Sequence, residues 1–266
     1  MQWVTLNMPE LPEVEMARRL LEATTLHQKI SAATVRDGRI LHAVSAKDLE
    51  RALAGRQFSS ALRHGKRLFL QIDPSQWLTL HLGLTGWPII LERGGEEPRH
   101  TRLRIDFEGG AALALDDPRI FGQVGLTASP QAFLTERGIG PDALQMDREY
   151  FLAAMSNRRG KIKPALLNQG IVAGLGNLYA DEALFQCGIC PQARRLDRER
   201  LISLFSAIQE VLRTSLACNA DFEKLPASYL LPVRHSGGNC PRDGAALQRR
   251  KIAGRTSYYC PQHQKE

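Results

Sequence analysis

The sequence predicts an α+β multidomain protein. Three observations carry this: an acidic-led helical stretch near the start, a run of short β-like segments up to about residue 124, and a mostly helical second half ending in a small basic tail. Residues 10–24 read as a helix. Glu10, Glu13 and Glu15 crowd its first turn, which suits a positive helix end, and Val14, Ala17, Leu20 and Leu21 recur on one face. From 29 to 124 the pattern changes to RLFLQID, WLTLHLG, WPIILE, LRIDF and AALALDD, separated by turn signals such as Asp73-Pro74 and Gly109-Gly110. Ala46–Ala54 is one helix among them. This half reads as a β-sandwich or barrel with a leading helix. Ser129-Pro130 opens a further helix and Gly138–Pro141 a turn. Residues 145–218 are mostly helical, with an amphipathic run from Asp197 to Leu216. The tail, 233–266, has little to bury, and a piece that small needs a metal or close docking to hold its shape.

Composition narrows the partner. The chain has 266 residues, enough for one large domain or two to three small ones, and 43% hydrophobic content supplies a real core. Thirty-five Lys and Arg against 28 Asp and Glu, with a pI of about 9.4, suit a polyanionic partner, nucleic acid rather than membrane. No segment has the roughly 18 apolar residues of a membrane helix, and MQWVTLNMPELPEVE does not read as a signal peptide. The five cysteines, at 187, 190, 218, 240 and 260, read as thiols or metal ligands rather than a disulfide framework. A cytoplasmic location is expected.

MPELPEVE is the most informative segment. A proline within a chain is an amide and no nucleophile, whereas a terminal proline is a secondary amine. An α-amino group has a pKa near 8, so roughly a tenth of it is unprotonated at neutral pH. The positive end of the adjoining helix favours the neutral amine further. Such an amine can attack a sugar C1′, and Glu10 beside it can shuttle protons. The plain alternative is that proline and glutamate merely start a helix. Seven residues, MQWVTLN, precede Met8. If they persist, Pro9 is acylated and this chemistry is impossible. Initiation at Met8 followed by methionine removal is one resolution, proteolysis a second, and absence of the chemistry a third.

In KPALLNQGIVAGLGNLYADEALF, Gly170, Gly174 and Gly176 interrupt a helical pattern just before Asn177. A glycine-rich turn feeding a helix start can bind phosphate on its N–H groups, and Asn177 suits both a cap and a phosphate donor. A plain packing unit is the alternative. Cys187 and Cys190 in FQCGICPQ have no second pair nearby and read as helix-end and loop cysteines.

Taken in order, MPELPEVE, HGKRLF, DPRIFG, VAGLGNLYADEALF and GRTSYYCP resemble the formamidopyrimidine-DNA glycosylase and endonuclease VIII family, from Met8 to about His263. The resemblance implies a β-sandwich catalytic domain over 8–125, a helix–two-turn–helix DNA-binding domain over 140–232 and a zinc-finger-like hairpin over 233–266. It implies that Pro9 is the Schiff-base nucleophile, Glu10 its acid–base partner and Lys66 a phosphate-contacting lysine that supports catalysis. It casts Asn177 and Arg255 as the grip on phosphates flanking an extruded nucleotide; a guanidinium fork suits that role. Leu84, Arg119 and Phe121 would fill the gap the nucleotide leaves. By periodicity alone Leu84 and Phe121 would be core.

Two features depart from the family pattern. The usual four-cysteine finger here reads Cys240-Pro-Arg-Asp243 and Cys260-Pro-Gln-His263, with the spacing intact. Two thiolates, a carboxylate and an imidazole can still close a tetrahedral zinc site; a metal-free hairpin held by packing is the alternative. The stretch EKLPASYLLPVRHSGG is shorter than the loop that covers 8-oxoguanine in the formamidopyrimidine branch, so lesion specificity does not carry over. The expectation is therefore a base-excision-repair glycosylase and AP lyase. It would act on duplex DNA with damaged bases or abasic sites, as a monomer, with structural Zn2+ and no redox or nucleotide cofactor. The rival readings are a non-catalytic damaged-DNA-binding protein with Pro9 blocked by residues 1–7, and a structural nucleoprotein.

Overall fold

The computed structural model describes residues 8–156 and 158–266. Two compact units divide the described residues: Met8 and Pro9 with Glu13–Arg137, and Glu10–Pro12 with Gly138–Glu266.

Helix α1 (Leu11–Thr25) belongs to the first unit from Glu13 onward; its Val14, Ala17 and Leu21 are buried while Leu20 stays half-exposed at the edge of the apolar face. Two antiparallel four-stranded sheets follow. One orders β1 (Ile30–Val35), β6 (Thr101–Phe107), β7 (Ala112–Asp116) and β5 (Trp87–Leu91). The other orders β2 (Ser60–His64), β3 (Arg67–Asp73), β4 (Gln76–His81) and β8 (Gln123–Thr127). Alternation explains the first sheet: in β6, Thr101, Leu103, Ile105 and Phe107 are buried and the residues between them are not. Leu68, Leu70 and Leu78 of one sheet share a core with Leu103, Ile105 and Leu113 of the other, which settles the sandwich over the barrel. Phe69 points to the opposite face of β3 and meets Phe133 of α3 (Pro130–Glu136) edge-on at 5.6 Å. The predicted helix at 46–54 is α2 (Ala46–Leu53), started by Ser45, whose hydroxyl accepts from Asp48 N.

The second unit is built on α4 (Arg148–Ser156), α5 (Ile162–Leu166), α6 (Asn177–Gln186) and α7 (Arg198–Ala217). Every residue of α6 from Leu178 to Phe185 is buried, so α6 is the central helix of this unit, walled by α7 on one flank. The tail forms a hairpin, β9 (Gln248–Ile252) with β10 (Arg255–Tyr259), closed by Ala253 and Gly254, both at positive φ, the geometry of a two-residue hairpin turn. β10 packs along α6, so the small tail gains its burial by docking. Among the described residues no helix is long and apolar enough to cross a membrane.

Candidate functional site

Glu10 is 1% exposed, and its carboxylate does not serve α1. It accepts from Leu178 N at 2.8 Å and Tyr179 N at 3.3 Å, the second and third residues of α6. Two otherwise orphaned helix N–H groups and the positive helix end hold the acid there. The expectation that Asn177 caps α6 is corrected: Gly176 occupies the cap position without a side chain, and the cap is supplied by Glu10. Asn177 instead donates from Nδ2 to Thr256 O at 2.9 Å, and its Oδ1 is buried with no partner among the described residues. The glycine-rich loop behind this turn is braced by Gln169, whose amide accepts from Gly174 N and donates to the carbonyls of Leu167 and Leu175. Gly174 O in turn accepts from Leu11 N.

Below this turn lies a charge cluster not anticipated from the sequence. Asp181, fully buried on α6, accepts from Lys163 Nζ at 2.5 Å, from Arg234 Nη2 at 2.7 Å and from Tyr258 N at 3.2 Å. Lys163 is also fully buried and donates to Ser257 Oγ at 2.5 Å. Burial pushes its ammonium below the usual lysine range, and Asp181 opposes that shift. Arg234 further donates to Thr256 O, the carbonyl that Asn177 also holds. The cluster thus ties α5, α6 and β10 together and fixes Asn177 against the strand that begins with Arg255.

In the first unit, Lys66 sits in the two-residue turn that joins β2 to β3, behind Gly65 at φ 56°. Next to it, burial and the Arg137 charge lower the Arg67 guanidinium to about 10, and Arg67 donates to Gln123 Oε1. His81, at the end of β4, was missed by sequence reasoning. Burial, then the charges of Arg67 and Lys66, lower its pKa to about 3, so it is a neutral imidazole. Its Nδ1 accepts from Gly83 N at 3.1 Å and so shapes the turn before Leu84.

That turn meets the DPRIFG loop. A Cβ on Gly83 would lie 2.3 Å from the Phe121 carbonyl carbon, so only glycine allows the approach. Buried Asp117 locks the two segments, accepting from Thr85 Oγ1 at 2.6 Å and Gly122 N at 2.7 Å, while Arg119 N donates to Thr85 Oγ1. Leu84, Arg119 and Phe121 are therefore carried on adjoining segments. Phe121 is 51% exposed and is not core, with the Arg119 guanidinium 5.1 Å from its ring centre. Ile120 between them takes φ 57°, a strained value for a β-branched residue.

At the hairpin base, Cys240, Asp243 and Cys260 bring one ligand atom each within 4.8 Å of one another. Asp243 Oδ2 lies 3.2 Å from Cys260 Sγ. His263 stands outside this group: its Nε2 bonds the Phe185 carbonyl at 2.7 Å and its ring lies edge-on to Phe185. Cys187 ends α6 with its thiol on Ala183 O, pushed up to about 11 by burial, and Cys190 is buried in the loop beyond.

Comparison with known proteins gives one result. The family model for the formamidopyrimidine-DNA glycosylase N-terminal domain matches residues 8–124, and that for the H2TH domain of the same enzymes matches 138–225. The formamidopyrimidine-DNA glycosylase of Trichormus variabilis is 36% identical over 97% of this chain and 100% of its own length. That of Arabidopsis thaliana is 31% identical over 97% of this chain and 71% of its own. Among solved structures, the Lactococcus lactis enzyme bound non-covalently to DNA with an abasic site superposes with a TM-score of 0.89 at 30% identity, covering 97% of this chain and all of the other. The same enzyme with DNA containing a formamidopyrimidine lesion gives 0.88 at 29% over the same shares.

Proposed function

Because this chain belongs to the formamidopyrimidine-DNA glycosylase family, we propose that it excises oxidised or ring-opened bases from duplex DNA and nicks the resulting abasic site. The observation that carries this reading is Glu10: it follows Pro9 directly, and its carboxylate is held at the head of the same helix that bears Asn177. Pro9, as a terminal secondary amine, attacks C1′. The glycosidic bond breaks, and the base leaves with the bonding pair and takes up a proton. Glu10 relays protons and faces the positive charge that develops on the sugar. The amine sheds its proton, and the C1′–O4′ bond breaks with O4′ taking up a proton, so the sugar ring opens to an iminium at C1′. The iminium acidifies C2′, loss of that proton expels the 3′ phosphate, and a second elimination expels the 5′ phosphate.

Lys66, Asn177 and Arg255 take the flanking phosphates. Leu84, Arg119 and Phe121 occupy the stack vacated by the flipped nucleotide, with Arg119 offering its fork to the orphaned base. The domain assignment is 8–125 for the catalytic sandwich, 140–232 for the helix–two-turn–helix part and 233–266 for the hairpin. Cys240, Asp243 and Cys260, as grouped, fit three positions of a Zn2+ site; His263 would complete it only by turning a ring nitrogen toward them from its place beside Phe185. Bound zinc would supply a structural crosslink and no chemistry. The amine mechanism requires a chain whose terminus is Pro9. Residues 1–7, which would block it in the non-catalytic reading, lie outside the described residues.

The test is a panel of duplexes, each with one oxidised, ring-opened or abasic site, incubated with protein whose terminus is verified as Pro9. Base release followed by strand nicking on at least one lesion is expected. Binding without release or nicking on every duplex would overturn the reading.

A further inference from the structure

The second unit carries an organised group of exposed positive charges outside the proposed phosphate grip. Residues 158–161 carry Arg158, Arg159 and Lys161 beside an open hollow of about 370 Å³. The next residue, Ile162, donates its N–H to Ala193 O at 2.8 Å, which sets this segment against the loop bearing Arg194 and Arg195. One residue earlier in that loop, Gln192 Oε1 accepts from Arg250 Nη1 at 3.1 Å. That bond joins the loop to β9, where Arg249, Arg250 and Lys251 are all exposed and only Ile252 is buried. Three segments distant in sequence thus meet edge to edge. Together they place eight cations and no acid in residues 158–161, 192–195 and 248–252. None of the eight forms a salt bridge among the described residues, whereas Arg198, just beyond, pairs with Glu149. The nearest acid in sequence, Asp197, is engaged in capping α7.

An ordinary solvated face intersperses both signs, and a hairpin edge needs only a lysine or two to stay unpaired. An uncompensated band of this length repels itself, and a polyanion relieves that repulsion. The band also continues from a residue of the proposed site. Arg255 pairs with Ile252, and β9 then runs about 10 Å to Arg249, a length along which duplex DNA carries about six phosphate charges.

We infer that these three segments form one surface that binds the phosphate backbone of duplex DNA flanking the lesion, outside the grip of Asn177 and Arg255. The inference rests on the DNA-binding reading above and adds to it a lesion-independent footprint. Its contribution is to affinity and to retention on undamaged DNA, and it touches no reacting atom.

The test compares two duplexes with the same tetrahydrofuran abasic analogue at the centre, of about 12 and about 30 base pairs, by fluorescence anisotropy over a salt series. The proteins are wild type, the quadruple variant R158Q/R159Q/R194Q/R195Q, and the charge-retaining R158K/R159K/R194K/R195K, with thermal melting to verify folding. Wild type should show a steeper salt dependence on the long duplex than on the short one. The Gln variant should lose that increment, its log–log slope falling by about 0.9 for each phosphate contact removed, and bind the long duplex roughly ten-fold more weakly at ~100 mM salt. On the short duplex it should stay within about two-fold of wild type, and the Lys variant should follow wild type throughout. Equal slopes for wild type and a folded Gln variant on the long duplex would overturn the inference alone. Failure of wild type to bind either duplex would overturn both the inference and the DNA-binding reading.

Discussion

At the residue scale, exposure separates function from packing. Phe121 is 51% exposed although periodicity assigns it to the core. Phe121→Ala should therefore shift unfolding free energy by no more than about 0.5 kcal/mol, while weakening binding to an abasic duplex several-fold, as melting and anisotropy will measure. His81 behaves oppositely. Its folded pKa, about 3, lies below the ordinary 6.5, so the unfolded chain binds the extra proton first. Stability from this group is full above about pH 6.5 and falls as pH drops towards 3, by about 2 kcal/mol at pH 5. Melting temperature followed from pH 7 to 5 should drop in wild type, and should drop less in His81→Gln, which can still accept from Gly83 N without titrating.

At the element scale, α6 organises the second unit, and its support comes from far away in sequence. Asp181→Asn leaves Lys163 buried without its main counter-charge and should cost about 3–5 kcal/mol in urea unfolding. Lys163→Met keeps Asp181 paired with Arg234 and should cost clearly less. For the hairpin, Cys260→Ser should lower zinc content measured by elemental analysis; unchanged occupancy would remove Cys260 from the ligand set.

These same elements show what the sequence could carry. Strands such as 101–107 were legible because their alternation is local, and the glycine turn before Asn177 because its composition is local. The true cap of α6 was not legible, since Glu10 lies 168 positions from Leu178. Nor was the Lys163–Asp181–Arg234 cluster, whose members look like surface charges until folding removes them from water. His81 was overlooked because one histidine ending a strand has no periodic signature. The finger spacing located Cys240, Asp243 and Cys260 together, but it could not show that Phe185 offers a competing partner to His263.

At the scale of the whole molecule, a net charge of +7 predicts that affinity for any DNA falls steeply with salt, whereas the chemistry depends on one atom, the Pro9 nitrogen. A chain that keeps residues 1–7 should bind abasic DNA yet form no covalent complex with it, because an acylated proline has no lone pair to give. The most direct measurement is borohydride trapping on abasic-site DNA, using protein whose mass verifies Pro9 as the first residue. A covalent protein–DNA adduct should form and should fall sharply in Pro9→Gly. Absence of any adduct from the verified protein, with DNA binding intact, would contradict the account.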